Sequence, residues 1–178
     1  SHIDAFIVRI PPGVQLSAEG IIRRNTAFPA FATLLPKERQ DRLFAMMRSK
    51  NGSGIHYLTG LMASKIQLFD SLRLCNSCVV SDRNRYGDCH YHLIHQMPGV
   101  YECPIHLEPV MDTQIRATNN RMRYYIPPAE DAASTVFIAD NDSRIISQNK
   151  TSFEAIATQV QWLLELTNYE EILFNPRD

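Results

Sequence analysis

Two short cysteine motifs constrain this chain more than any other feature. Cys75-Asn76-Ser77-Cys78 sets two thiols two residues apart, and Cys103-Pro104-Ile105-His106 sets a thiol and an imidazole at the same spacing. That spacing lets one tight turn aim both side chains at a single ion. Together the two pairs supply four nitrogen and sulfur ligands, the tetrahedral shell that zinc prefers. A filled shell leaves no position for water. The expectation is therefore one structural Zn2+ per chain, held by Cys75, Cys78, Cys103 and His106. Residues 79–102 separate the pairs, room for a hairpin or a short helix. Cysteines so spaced, with a histidine, read as metal ligands rather than a disulfide framework. Thiolate ligands imply a reducing compartment, so a cytoplasmic location is expected.

Between the pairs lie Cys89, His90, His92 and His95. They offer a second metal site, but on a strand Cys89 and His90 point to opposite faces. We read His90 and His92 as sharing one strand face and His95 as making a hydrogen bond. Glu102 reads as a supporting or surface carboxylate. An alternative is a zinc hydrolase or deaminase in which water replaces one ligand. Against it, the chain carries no His-Glu-x-x-His helix and no His-x-Glu…Cys-x-x-Cys signature. It has no phosphate-binding Walker A loop and no nucleophile elbow either, so no enzymatic activity is expected.

The rest of the chain reads as mainly α. A helical region is expected over 1–70, a small zinc-ribbon-like αβ module over 71–126, and an irregular α+β part over 127–178. Residues 1–12 look extended. A helix should begin at Ser17, carry Ile21 and Ile22 inward, and stop or kink at Pro29. The next has Pro36 in its first turn, with Leu43, Phe44, Met46 and Met47 on one side and Arg39, Arg42 and Arg48 on the other. Ile55, Leu58, Leu61 and Met62 predict a third, running to Leu68. Asn119-Asn120 suggests a turn, and Pro127-Pro128 with the acidic, Ala-rich residues after it a linker. Val136 to Ala139 reads as a short strand, closed by Asp140 to Ser143. Thr151 and Glu154 predict a capping box. Phe153, Ile156, Ala157, Val160, Leu163 and Leu164 then line one face of the last helix. No apolar run approaches the ~20 residues of a membrane helix, and no segment has the pattern of a signal peptide.

Net charge is −1, but its distribution is uneven. Residues 1–70 carry nine Lys/Arg against five Asp/Glu, residues 71–126 six against five, and residues 127–178 three against nine. Only the first two stretches offer the positive potential that nucleic acid needs. The candidates for such contacts are Arg23, Arg24, Arg39, Arg42, Arg116, Arg121 and Arg123; the last three interleave with Asn119, Asn120, Tyr124 and Tyr125. The alternative is solvated faces and a loop of ordinary arginines.

Leu72-Arg73-Leu74 before the first pair, Arg85-Tyr86-Gly87-Asp88, His95-Gln96-Met97-Pro98-Gly99-Val100, and Pro109-Val110 after the second pair form an ordered set. With the Cys and His pairs, that set resembles the TniQ/TnsD family of transposon target-site-selection proteins. Thr26-Ala27-Phe28-Pro29, Lys37-Glu38-Arg39 and Leu58-Thr59-Gly60-Leu61 resemble the helical part that precedes the zinc knuckles there. The resemblance covers roughly residues 20–112. Departures are Asn76 where the family usually has Pro, and Leu107 where Gly often follows the histidine. The chain opens at Ser1 rather than Met, and family members extend further, so a piece of a longer protein is expected. The resemblance implies a bacterial, nucleoid-associated adaptor in DNA transposition and recombination. Such an adaptor recognises target-site DNA, or a complex that marks it, and recruits the transposon's AAA+ ATPase regulator, along with other transposition proteins. Arg83, Arg85 and Tyr86, on the zinc-stiffened surface, are the candidate partner contacts. The competing reading is a pure protein–protein module with no DNA contact of its own.

Overall fold

Five short helices fill the first part of the chain: α1 His2–Ile7, α2 Ala18–Asn25, α3 Phe28–Ala32, α4 Lys37–Arg48 and α5 Ile55–Leu58. The computed structural model describes residues 2–11, 13–49, 52, 54–61, 68–116, 126–138 and 146–166. These residues are mostly helical with one two-stranded antiparallel sheet. They divide into two units, residues 1–65 with 162–178 and residues 66–161.

In the first unit, Ser17 starts α2 as its sequence suggests. Its Oγ accepts from the backbone N–H of Gly20 at 3.0 Å, satisfying one of the unpaired donors of a helix start. Ile22, Phe28, Ala32 and Leu43 form the buried core, with Ile3, Leu35, Phe44, Met47, Ile55 and Leu166 packed around them. Phe28 and Phe44 meet edge to face at 5.8 Å. The expected extended segment at 1–12 is instead opened by α1. There Ile3, Ile7 and Ile10 recur at near-helical spacing and are half-buried, and Asp4 pairs with Arg48 at 3.3 Å. Helical burial outweighs the weak alternation. Pro29 does not end α2, which closes at Asn25; it sits in the first turn of α3, where a missing N–H costs nothing. The third expected helix ends at Leu58, because Gly60 turns the chain with φ +73°. Residues 62–67, where it was expected to continue, lie outside the described residues.

In the second unit, β1 (Ser71–Leu74) pairs antiparallel with β2 (Met111–Arg116), Arg73 opposite Asp112 and Leu74 opposite Met111. The chain leaves β1 directly into α6 (Asn76–Tyr86). Gly87 ends that helix at φ +81°, its N–H bonded to the carbonyl of Arg83 at 3.0 Å, a left-handed cap that Gly adopts without steric cost. Residues 88–92 form no strand, contrary to expectation, and a 3-10 turn follows at Leu93–Gln96. The presumed linker is a packed helix, α7 (Ala129–Ala133). Ala129 and Ala132 join Leu74, Val79 and Cys89 in a buried cluster with Tyr91, Ile115, Ala133 and Val136; alanines let the helix approach closely. Phe137 makes a single bridge to Asp112, the remnant of the expected strand. The last helix, α8, spans Lys150–Glu165, of which residues from Trp162 on belong to the first unit. It opens before Thr151, with the Asn149 carbonyl accepting from Phe153 N–H at 3.1 Å, so Thr151 lies inside the helix rather than capping it. Its expected inner face is present: Ala157 is buried and Phe153, Val160, Leu163 and Leu164 are half-buried, though Ile156 is 40% exposed. The expected turns at Asn119-Asn120 and Asp140–Ser143 lie outside the described residues.

Candidate metal centre

Cys75 follows β1 and is the N-cap residue of α6, with φ −105° and ψ 128°. Cys78 follows in the first helical turn. The first pair is therefore built on a helix start, not on the free-standing turn its spacing suggested. Backbone N–H groups and the helix dipole at that end favour thiolates. The second pair sits at the tip of a hairpin-like loop. Val110 N–H bonds to Tyr101 O at 2.8 Å, Cys103 N–H to Glu108 O at 2.8 Å, and Leu107 N–H to Cys103 O at 2.9 Å. Leu107 takes φ +54°, and it is the one non-glycine with positive φ among the described residues.

These two pieces bring the predicted residues together. Cys78 Sγ lies 3.6 Å from Cys103 Sγ. His106 Nδ1 lies 3.6 Å from Cys75 Sγ, 3.3 Å from Cys78 Sγ and 3.7 Å from Cys103 Sγ. Around a tetrahedral zinc with ordinary bond lengths, sulfur–sulfur edges are about 3.8 Å and sulfur–nitrogen edges about 3.6 Å. The donor set and its spacing fit such an ion. All three sulfurs are buried; Cys75 and Cys103 have no exposed surface. Three thiols in mutual hydrogen-bonding range cannot all ionise without a cation. Hydrogen bonds from Cys75 and Cys78 hold the Cys103 thiol far below its usual range, while sharing with Cys103 pushes Cys75 up to about 11. A bound dication removes that conflict.

Of the support around the cluster, a hydrogen bond at His95 was expected, while the parts played by Arg73 and Gln96 were not. His95 is fully buried, with Nε2 3.8 Å from Cys78 Sγ, and burial pushes its imidazole below the ordinary value. In the tautomer with its proton on Nε2, the ring donates to that sulfur. Arg73 is also fully buried. Its Nη1 donates to Val100 O at 2.6 Å and Nη2 to Val110 O at 2.9 Å. Its Nε lies 3.4 Å from the Asp112 carboxylate, and its guanidinium 3.7 Å over the Phe69 ring. Gln96 ties the 3-10 turn to β1: its Oε1 accepts from Arg73 N–H at 3.0 Å and its Nε2 donates to Arg73 O at 2.8 Å. A charged residue between Leu72 and Leu74 was the available signal for Arg73. Glu102 is 1% exposed and not a surface group; burial pushes its carboxyl above the usual range. Cys89 packs in the apolar cluster, apart from the four ligands.

The candidate contact residues are scattered. Arg23 turns inward, 2.8 Å from Glu19 and 5.6 Å from the Phe44 ring centroid. Arg24 is exposed. Arg39 and Arg42 line an open depression of about 530 Å³ with Glu38, Tyr57 and Leu58, and Tyr57 is 80% exposed. Arg116 is exposed at the end of β2, and Arg121 and Arg123 lie outside the described residues. On α6, Arg83 pairs with Glu130 at 3.0 Å and Arg85 stacks 5.2 Å from the Tyr86 centroid. Tyr86 is 62% exposed.

A family model, TniQ, matches residues 4–108, which include most of the first-unit helices and both the Cys75/Cys78 and Cys103/His106 pairs. The chain belongs to the TniQ family. It is also similar to the transposon Tn7 transposition protein TnsD of Escherichia coli, 26% identical over 106 residues. That match covers 60% of this chain and 21% of the relative, so the chain spans about a fifth of that protein's length. In this TniQ protein, Cys75, Cys78, Cys103 and His106, a group that could hold a metal ion, all lie within the matched segment. No helix among the described residues is long and apolar enough to cross a membrane.

Proposed function

We propose that this chain is a target-selection adaptor in DNA transposition, built around one structural zinc at Cys75, Cys78, Cys103 and His106. The observation that carries the reading is the TniQ match over residues 4–108, which ends just beyond the last ligand. Four protein ligands at tetrahedral spacing support a closed site that builds structure rather than activates water. In this reading the adaptor works in the bacterial cytoplasm, close to the nucleoid. It engages target-site DNA and recruits the transposon's AAA+ ATPase regulator and other transposition proteins. Arg24, Arg39 and Arg42 are the better DNA contacts, being exposed, with Tyr57 beside the last two. Arg23 is engaged by Glu19 and the aromatic core, so its reversal weakens folding as well. Exposed Tyr86, with Arg85 against its ring, forms the ATPase contact together with Arg83; Tyr and Arg dominate binding hot spots.

The test is a pull-down with the cognate ATPase, paired with thermal melts. Tyr86→Ala and Arg85→Glu should lose recruitment while remaining folded and zinc-loaded. Full recruitment by both stable variants would remove this surface from the interface. The second reading, a protein–protein module, is favoured by the near-neutral net charge of −1. It predicts no salt-dependent binding to any duplex, whereas phosphate contacts release counterions and weaken steeply with salt.

A further inference from the structure

Among the described residues two groups of side chains outside the thiolate cluster are spaced as ligands, Asp88, Cys89 and Glu130 and, with two imidazoles, Asp82, His90 and His92. We propose that Asp82, His90 and His92 form a second metal site, for a borderline first-row divalent cation such as Zn2+, Ni2+ or Co2+. Asp82 stands on α6, one turn after Cys78, with a carboxylate only 8% exposed. Its Oδ2 lies 2.7 Å from His92 Nε2 and 3.2 Å from His90 Nδ1. One ligand atom from each residue lies within 4.8 Å of the others. Nitrogen–oxygen edges around a tetrahedral zinc are about 3.4 Å, so a small outward movement of the His92 ring admits an ion. The cation then takes the place of the hydrogen bond between His92 Nε2 and Asp82 Oδ2.

The rings stack at 4.3 Å with an interplanar angle of 18°, so binding turns the exposed His90 ring out of the stack to bring its Nδ1 lone pair onto the ion. His92 is anchored through its carbonyl, which accepts from Gln96 Nε2 at 3.1 Å and His95 N–H at 3.2 Å. His90 is 58% exposed, which gives the ion a path from solvent and leaves a coordination position for water. Two imidazoles and one carboxylate favour Zn2+, Ni2+ or Co2+ over Mg2+ and Ca2+, which prefer all-oxygen shells. The ion would pin the middle of α6 to the loop that follows Gly87. The sequence offered His90 and His92 but not Asp82, which comes from α6, while Cys89, the neighbour of His90, packs into the core.

The experiment uses the full chain with its thiolate site already loaded, titrated with Zn2+ and, separately, with Co2+. Total metal is measured after equilibrium dialysis at micromolar free ion. A second, exchangeable ion per chain is expected. With Co2+ it adds no sulfur charge-transfer absorption, which separates it from the thiolate site. His90→Ala, at an exposed ring, should weaken the second ion by at least about 10-fold with an unchanged melting curve before titration. Asp82→Asn should weaken it in the same direction. A wild-type chain that takes up no second ion overturns the proposal, and leaves Asp82 as a hydrogen-bond acceptor for the two histidines. So does a second ion bound as tightly by His90→Ala as by the wild type.

Discussion

Single residues decide how well the thiolate cluster is held. His95 contributes no ligand, yet its Nε2 approaches Cys78 Sγ at 3.8 Å inside a fully buried pocket. A hydrogen bond to a ligand sulfur orients it and tunes its charge. His95→Phe keeps bulk and removes the donor. It should lower zinc affinity about 10–100-fold, measured by chelator competition. Leu107 pays steric strain at φ +54° with its side chain half exposed. A left-handed conformation costs an L-residue roughly 1–2 kcal/mol, offset in part by the greater chain entropy of Gly. Leu107→Gly should therefore raise stability by about 1 kcal/mol in denaturant melts of the zinc-loaded protein. In the sequence Leu107 stood out only as a departure from the family resemblance. The left-handed turn there, just after a ligand, needed the backbone.

At the scale of elements, the convergence of Cys75, Cys78, Cys103 and His106 could be read because spacing limits which side chains can meet. The framework could not. Cys-x-x-Cys fits a loop turn and a helix start equally well, and here β1 running straight into α6 selects the second. Amphipathic α4 and α8 were recognisable because each carries a long apolar face. The short helices α1 and α7 were not: few residues define their period, and tertiary burial of Ile3 and of Ala129 and Ala132 decides them. The buried Arg73 joins three elements that no local pattern connects. It links β1 to Val100, and to Val110 and Asp112 across the sheet. Arg73→Met would leave Asp112, with its side chain 12% exposed, without its cation. Breaking such a pair costs about 3–5 kcal/mol. Denaturant titration should show that loss, with the ligands still present but the sheet loosened.

For the whole molecule, each unit has its own source of cohesion. The first has an apolar core around Ile22, Phe28 and Leu43. The second has a small cluster around Leu74 and Val79, and beside it three cysteines and Val110. Its stability should therefore depend on the metal, since structural zinc contributes its binding energy, on the order of 10–16 kcal/mol in small zinc peptides, to folding. The most direct test is the zinc content of Cys103→Ser and Cys89→Ser, measured after dialysis against a mild chelator, beside circular dichroism. The wild type should retain one zinc ion per chain. Cys103→Ser should lose it and unfold the second unit while keeping helical signal from the first, and Cys89→Ser should keep it. Retention of zinc by Cys103→Ser, or its loss from a folded Cys89→Ser, would contradict the assignment of Cys75, Cys78, Cys103 and His106 as the metal centre.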